Sequence, residues 1–391
     1  MPNEKMLSEH INSCNTPIYQ TATYVFKDTE QVIQYHKGEV ELGRYGRYSN
    51  PNWTEAEEHL ARLDDAEEAL LFSTGMNAIV TAMLTFIRSG DNIIFTGNCY
   101  RNTRTFFTSM LSDMGVTAYP VSSADPEQFD EVFLKQYRVL QPKIIFVEAP
   151  CNPHLYLVDI KKIRSIIHSD TLLVVDSTMS SPYNFKPLYF GADLVIHSCT
   201  KYLSGHGDIM AGSIAGSKEL IRQVRAYRGV VGGIADPRCA ALLNRSLKTF
   251  GLRMKHYNQA GMKLARYLED SPYVDRVFYT GLESHPHADL AKKQLKGHGG
   301  VLSFDIKGDS QETARFVDTV QLPFMGSNFG TDTTLIEQCS VFTYYHYTGD
   351  ERRELDISDS LIRLSLGYEN VDLIIDDIET SFIKALPHIK Q

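Results

Sequence analysis

The chain has 391 residues, 43% hydrophobic and 22% charged, a balance that allows a large buried core and about two or three domains. A formal net charge of −9, with no lysine- or arginine-rich run, argues against nucleic acid or an anionic membrane as the main partner and favours small molecules. The six cysteines (Cys14, Cys99, Cys151, Cys199, Cys239, Cys339) are scattered without a CxxC pair, so reduced thiols are expected and neither a metal site nor a disulfide framework is indicated.

The amino terminus, MPNEKMLSEHINSCNTP, has no apolar h-region. The apolar stretch AIVTAMLTFI (78–87) falls well short of the roughly 18 residues that a membrane span requires, and a cytoplasmic protein is expected. Residues 1–50 are rich in Tyr, Thr and Gly and lack a helical period until about 28, which reads as an extended arm of the kind that wraps a sister subunit. In FSTGMNAIVTAMLTFI (72–87) a Ser-Thr-Gly turn opens an apolar helix. The amides at Gly75 and Met76 have no partner within that helix and lie at its positive end, so the turn is either an anion cradle or simply an N-cap.

Between about 66 and 215, the apolar runs NIIFTG, VTAYPV, KIIFVEAP, TLLVVDST, ADLVIHSC and MAGSIAG alternate with amphipathic segments such as PEQFDEVFLKQYRVLQ. Near-continuous apolar strands divided by helices predict an α/β fold, with a mostly parallel sheet covered on both faces. Ligands bind such sheets beyond the strands' carboxyl ends. Polar residues collect there: Glu148 with Asn152, Asp176 with Ser177 and Thr178, and His197 through Lys201. Lys201 alone could be a solvated surface amine; the clustering favours a site. Neither GxGxxG nor GxxxxGK[ST] occurs, so no nucleotide fingerprint is present.

Beyond about 240, a basic amphipathic helix (LLNRSLKTFGLRMKHYNQAGMKLARYL) precedes strand-like VLSFDIKG, a turn-rich passage from 322 to 358, LIRLSLGYE and a final helix. This pattern predicts a smaller α+β domain. The expected organisation is an arm over 1–50, a large domain over 51–240 and a C-terminal domain over 241–391.

Asp176 at a strand end, followed by Ser198, Thr200 and Lys201, resembles the core of fold-type I enzymes that use pyridoxal 5'-phosphate (PLP). More narrowly the chain resembles the cysteine and methionine metabolism family, which includes cystathionine γ-synthases, cystathionine γ-lyases and methionine γ-lyases. The matching segments are TPIYQTATYVF (16–26), RYGRYSNP (44–51), EAPCNP (148–153), HSCTKYLSGHGD (197–208), SLKTFGLRM (246–254) and LIRLSLGYE (361–369). The Tyr-Arg-x-Thr-Arg form within CYRNTRTFFTSM (99–110) resembles the plant-type cystathionine γ-synthases.

The resemblance implies a role for each motif. Lys201 would hold the cofactor's aldehyde carbon and, once displaced, move protons on the substrate. Asp176 would sit against the pyridine nitrogen, and Tyr100 would stack on the ring and assist proton transfer. Gly75, Met76, Ser198 and Thr200 would bind the phosphate, joined by Tyr45 and Arg47 from a neighbouring subunit. Asn152 would bond the cofactor's phenolic oxygen, and Arg363 would clamp the substrate carboxylate. A homotetramer built from dimers that share active sites is implied.

The family's Ser-Leu-Gly-Gly-x-Glu-Ser-Leu is altered in SNFGTDTTLIEQ (327–338). Asn328 stands in place of a serine near the substrate carboxylate, and Thr333 in place of a glutamate expected to face the distal part of the substrate. A carboxylate there suits the ammonium of cysteine or cystathionine, whereas threonine offers a neutral hydroxyl. Arg101 brings a positive charge to the site's mouth, where it either attracts an anionic leaving group or is merely solvated. The expected activity is replacement of the γ-substituent of an O-activated homoserine by a thiol, cysteine giving cystathionine. The alternative is a γ-lyase acting on cystathionine, methionine or an unusual γ-substituted amino acid, with 2-oxobutanoate and ammonia as products.

Overall fold

The computed structural model describes residues 13–389, so the first twelve residues of the expected arm lie outside the described residues. The apolar runs pair as one seven-stranded sheet in the order β1-β7-β6-β5-β4-β2-β3. Its strands are β1 (Glu68–Phe72), β2 (Asn92–Thr96), β3 (Thr117–Val121), β4 (Ile144–Glu148), β5 (Leu172–Asp176), β6 (Leu194–Ser198) and β7 (Gly212–Gly216). Strands β2 to β6 pair in parallel, as expected. β7 is antiparallel to both β6 and β1. The reason is local: no helix lies between β6 and β7, and a parallel return requires a long crossover.

Alternate residues of each strand serve opposite faces. Ile93, Phe95, Phe146, Val174 and Ile196 share one core with Ala78 and Ile79 of the helix Gly75–Phe86. Ile94, Ile145, Val147, Val175 and Val195 pack on the other face with Phe129 and Phe133 of the helix Pro126–Leu140. Burying each of these large side chains stabilises the sheet by about 1.5–3 kcal/mol. The parallel register fixes what meets at the carboxyl edge: Glu148 pairs with Asp176, and Asp176 with Ile196, two residues before Ser198.

A second, five-stranded sheet has the order β10-β11-β12-β9-β8. It comprises β8 (Val274–Phe278), β9 (Val301–Ile306), β10 (Phe324–Met325), β11 (Leu335–Gln338) and β12 (Leu361–Ser365). Phe304, Ile336, Ile362 and Leu364 pack with Phe316, Ile374 and Phe382 of flanking helices. The basic helix expected as one piece is two, Pro237–Leu247 and Phe250–Glu269, and residue 240 lies inside the first. At the break the Thr249 N–H and hydroxyl both donate to the Ser246 carbonyl, at 3.2 and 3.3 Å. Arg253 then reaches back, its Nη2 donating to Ser246 O at 2.9 Å and to Leu203 O at 3.0 Å. A buried guanidinium thus fastens the loop that carries Lys201 to the second half of the molecule.

The described part of the arm is irregular up to the helix Thr29–Lys37, which Asp28 caps by accepting from Gln31 N–H at 2.9 Å. Buried Asn52 ties the arm down: its Oδ1 accepts from Tyr19 N–H and its Nδ2 donates to Pro17 O, both at 2.9 Å. Among the described residues no helix is long and apolar enough to cross a membrane, and no group of His, Cys, Asp and Glu has the arrangement of a metal site.

Candidate active site

A cavity of about 700 Å³ opens at the carboxyl edge of β4, β5 and β6 and is closed on its far side by residues of the second half. It brings together Gly75, Met76, Tyr100, Asn152, Asp176, Ser198, Thr200, Lys201, Asn328 and Arg363, ten of the residues expected from the sequence. The volume lies within the usual range for small-molecule sites.

Lys201 follows β6 in a turn in which its N–H donates to Ser198 O at 3.2 Å. Its Nζ donates to Asn328 Oδ1 and lies 4.8 Å from the centre of the Phe329 ring. Burial, and then the charge of Arg363, push the Lys201 ammonium down to about 8. An amine in that range exchanges protons readily near neutral pH.

Asp176 presents a half-occupied carboxylate. Its Oδ1 accepts from the Thr178 N–H at 3.0 Å and the Thr178 hydroxyl at 2.6 Å, which directs Oδ2 to other partners. Burial raises its pKa, while the nearby His197 works in the opposite direction. Its strand neighbour Glu148 is pushed up to about 8 by burial first and by the Asp176 charge second. Glu148 organises the wall: Oε2 accepts from Tyr100 N–H at 2.7 Å and Oε1 from Asn152 N–H at 3.3 Å.

The anion cradle forms where the helix Gly75–Phe86 begins. Thr74 caps it, its hydroxyl accepting from Asn77 N–H at 2.9 Å. A Cβ on Gly75 would stand 2.9 Å from Ser198 Cβ and 3.2 Å from Ser198 Oγ. Only glycine therefore allows helix start and strand end to close on one another, and the first amides then share a small space with two hydroxyls. Thr200 Oγ1 is held by Ala211, accepting its N–H at 3.1 Å and donating to its carbonyl at 3.3 Å.

Arg363, on β12, is buried at the cavity wall. Its Nη1 donates to Asn152 Oδ1 at 3.1 Å and its Nη2 to Asn328 O at 3.4 Å. Asn328 thus contacts both the lysine and the arginine.

Three expected residues do not line the cavity. Tyr45 and Arg47 lie in the arm, where the Arg47 guanidinium stands 5.5 Å from the Tyr45 ring and 5.1 Å from the Tyr48 ring. Thr333 is half-buried, its carbonyl accepting from the Thr331 hydroxyl at 3.0 Å. The next residue is held elsewhere: the Thr334 N–H and hydroxyl both bond the Glu369 carboxylate, at 2.7 and 2.6 Å.

Thr178, Phe329, Phe342 and Thr343 also line the cavity, and none of the motifs above gives them a role. The Asp-Ser-Thr order after β5 was the available signal for Thr178. Phe342 and Thr343 come from the turn-rich passage, whose lack of period concealed them.

The donor set fits a phosphorylated pyridine aldehyde: a depressed amine, a carboxylate with one oxygen to spare, and a glycine-lined helix start beside two hydroxyls. PLP is the cofactor that combines these three needs.

The profile of the "Cys/Met metabolism PLP-dependent enzyme" family matches residues 3–383. The chain is similar to "Cystathionine gamma-synthase 1, chloroplastic" of Nicotiana tabacum, 37% identical over 379 residues, covering 97% of this chain and 69% of the relative. It is also similar to the L-methionine gamma-lyase of Porphyromonas gingivalis, 37% identical over 368 residues, covering 93% and 91%. Among solved structures it matches cystathionine gamma synthase from Xanthomonas oryzae pv. oryzae in complex with cystathionine, with a TM-score of 0.88, 28% identity and coverage of 95% and 93%.

Proposed function

Because this chain belongs to the Cys/Met metabolism PLP-dependent enzyme family, and is a PLP-dependent enzyme of the γ-synthase and γ-lyase kind, we propose that it exchanges the γ-substituent of an O-activated homoserine for a thiol. The observation that carries this reading is the position of Arg101. It lines both the catalytic cavity and an adjoining groove of about 260 Å³. A replacement must accommodate two reactants and release an anion, and a cationic side chain shared by the cavity and the groove suits both demands.

PLP, when bound, supplies an electron sink for negative charge that develops at the substrate carbons. On this reading the residues divide the remaining work. Lys201 would hold the aldehyde carbon, and its amine is the group that would take the Cα proton. With a pKa of about 8, roughly a tenth of such an amine is unprotonated at pH 7. Asp176 offers Oδ2 to the ring nitrogen and keeps it protonated. The amides of Gly75 and Met76 and the hydroxyls of Ser198 and Thr200 hold the phosphate. Tyr100 covers the ring and delivers a proton toward the leaving group. Asn152 holds the phenolic oxygen through its free amide nitrogen, and Arg363 with Asn328 orients the substrate carboxylate.

Tyr45 and Arg47 act, in this reading, in the site of a neighbouring subunit within a homotetramer of dimers. Exposed apolar groups along the arm support it: Ile18 is 54% exposed and Val25 92%. A cytoplasmic location is retained as part of the reading.

A second reading, γ-elimination to 2-oxobutanoate and ammonia, is favoured by one observation. Among the described residues the carboxylates lining the cavity itself are Glu148 and Asp176, Thr333 stands outside it, and Glu351 and Glu354 line only the neighbouring groove, so none within the cavity is placed for a distal ammonium. Incubation with cysteine and O-phospho-, O-succinyl- or O-acetylhomoserine separates the two. Replacement releases the leaving group and forms cystathionine. Oxo acid without thioether favours the lyase, and absence of leaving group from all three removes the first reading.

A further inference from the structure

Arg363 stands in a place where a lone guanidinium would be costly. Its side chain is 4% exposed, and that of Glu337 beside it is 1% exposed. The two face each other across the antiparallel pair β11–β12, with Glu337 Oε1 and Arg363 Nη2 3.1 Å apart. The Thr343 hydroxyl lies within donating distance of both Glu337 oxygens, at 2.9 and 2.8 Å. Thr343 itself lines the cavity beside Phe342. Glu337 thus joins the arginine on the strand to the segment that forms the cavity's rim.

We propose that Glu337 is a positioning residue that fixes the Arg363 guanidinium for the substrate carboxylate; this rests on the reading of Arg363 given above. A buried ion pair is weak as a stability device, since an apolar pair of similar volume often serves as well. Fixing a planar donor is a different matter. Arg363 has five N–H groups, and Glu337, Asn152 and Asn328 engage it from the protein side. Together these bonds fix the plane of the guanidinium at the cavity wall, where a substrate carboxylate would meet it. Without Glu337 the guanidinium keeps its charge and loses its anionic partner, so that the neutral contacts to Asn152 and Asn328 alone orient it.

The test is spectral titration of the PLP-loaded enzyme with two probes, L-2-aminobutyrate and 1-aminopropane, which differ by the carboxylate alone. Wild type is expected to prefer the amino acid. Glu337→Gln should reduce that preference about tenfold, the usual scale for one charge-assisted contact, and Glu337→Asp should recover part of it. Thr343→Val, which leaves the ion pair in place, should reduce the preference about threefold and serves if Glu337→Gln fails to fold. A preference that stays the same or rises in both variants overturns the role of Glu337 alone. Equal binding of the two probes by wild type overturns the reading of Arg363 together with it.

Discussion

Glu148 and Asp176 end adjacent parallel strands as register partners, so two buried carboxylates meet at the edge of one cavity. Their proximity raises the pKa of Glu148 further than burial alone would. Because Glu148 accepts the backbone N–H groups of Tyr100 and Asn152, its task is to set the wall rather than to react. Glu148→Gln is expected to lower kcat about 10- to 100-fold, since one amide N–H would then face a backbone N–H. Steady-state kinetics with cofactor content measured alongside checks this, and an unchanged kcat at full cofactor content would falsify it.

Gly75→Ala tests the cradle. The added methyl would stand 2.9 Å from Ser198 Cβ, so either the helix start or the strand end must move. We expect cofactor retention on dialysis to fall at least tenfold, with the fold intact by circular dichroism. Normal retention would mean that the phosphate lies elsewhere.

Arg363→Lys preserves charge and removes the planar fork. KM for the amino-acid substrate should rise about 30-fold, about 2 kcal/mol, with a smaller change in kcat, because carboxylate docking is present in ground and transition states alike. A fall in kcat at constant KM would instead place Arg363 against a group that develops charge during the reaction.

Acid sensitivity should originate in a buried histidine cluster away from the cavity. His287 N–H donates to His285 Nδ1 at 3.1 Å, and His285 Nε2 bonds His154 O at 2.9 Å. Burial pushes both His154 and His285 down to about 4. The folded values lie below the unfolded one of about 6.5, so the stabilisation is complete above pH 6.5 and is lost as pH falls toward 4. At pH 5 each histidine has forfeited up to about 2 kcal/mol. The urea midpoint should therefore drop between pH 7 and pH 5, and drop less in His285→Gln. Equal slopes in the two proteins would exclude the cluster as the cause.

The large sheet was legible because its strands are apolar on both faces, and the same runs ended in Glu148, Asp176 and Lys201. β7 escaped as an antiparallel strand because its direction depends on the missing helix before it, not on its own residues. The split of the basic helix at Lys248 and Thr249 left the apolar period intact, so periodicity passed across it. Glu337 was invisible for another reason: LIEQ reads as an ordinary strand, and its partner on LIRLS is fixed only by strand pairing. Thr333 shows the reverse case. A motif position assigned it to the substrate, yet it does not line the cavity, and its neighbour Thr334 is bonded to Glu369.

The central claim is chemistry at Cγ, which requires a proton to leave both Cα and Cβ before the γ-substituent departs. The most direct measurement is turnover of an O-activated homoserine with cysteine in deuterium oxide, with the product examined by mass spectrometry and proton NMR. The account predicts cystathionine carrying deuterium at both Cα and Cβ of its four-carbon half. Product without deuterium at Cβ would contradict it.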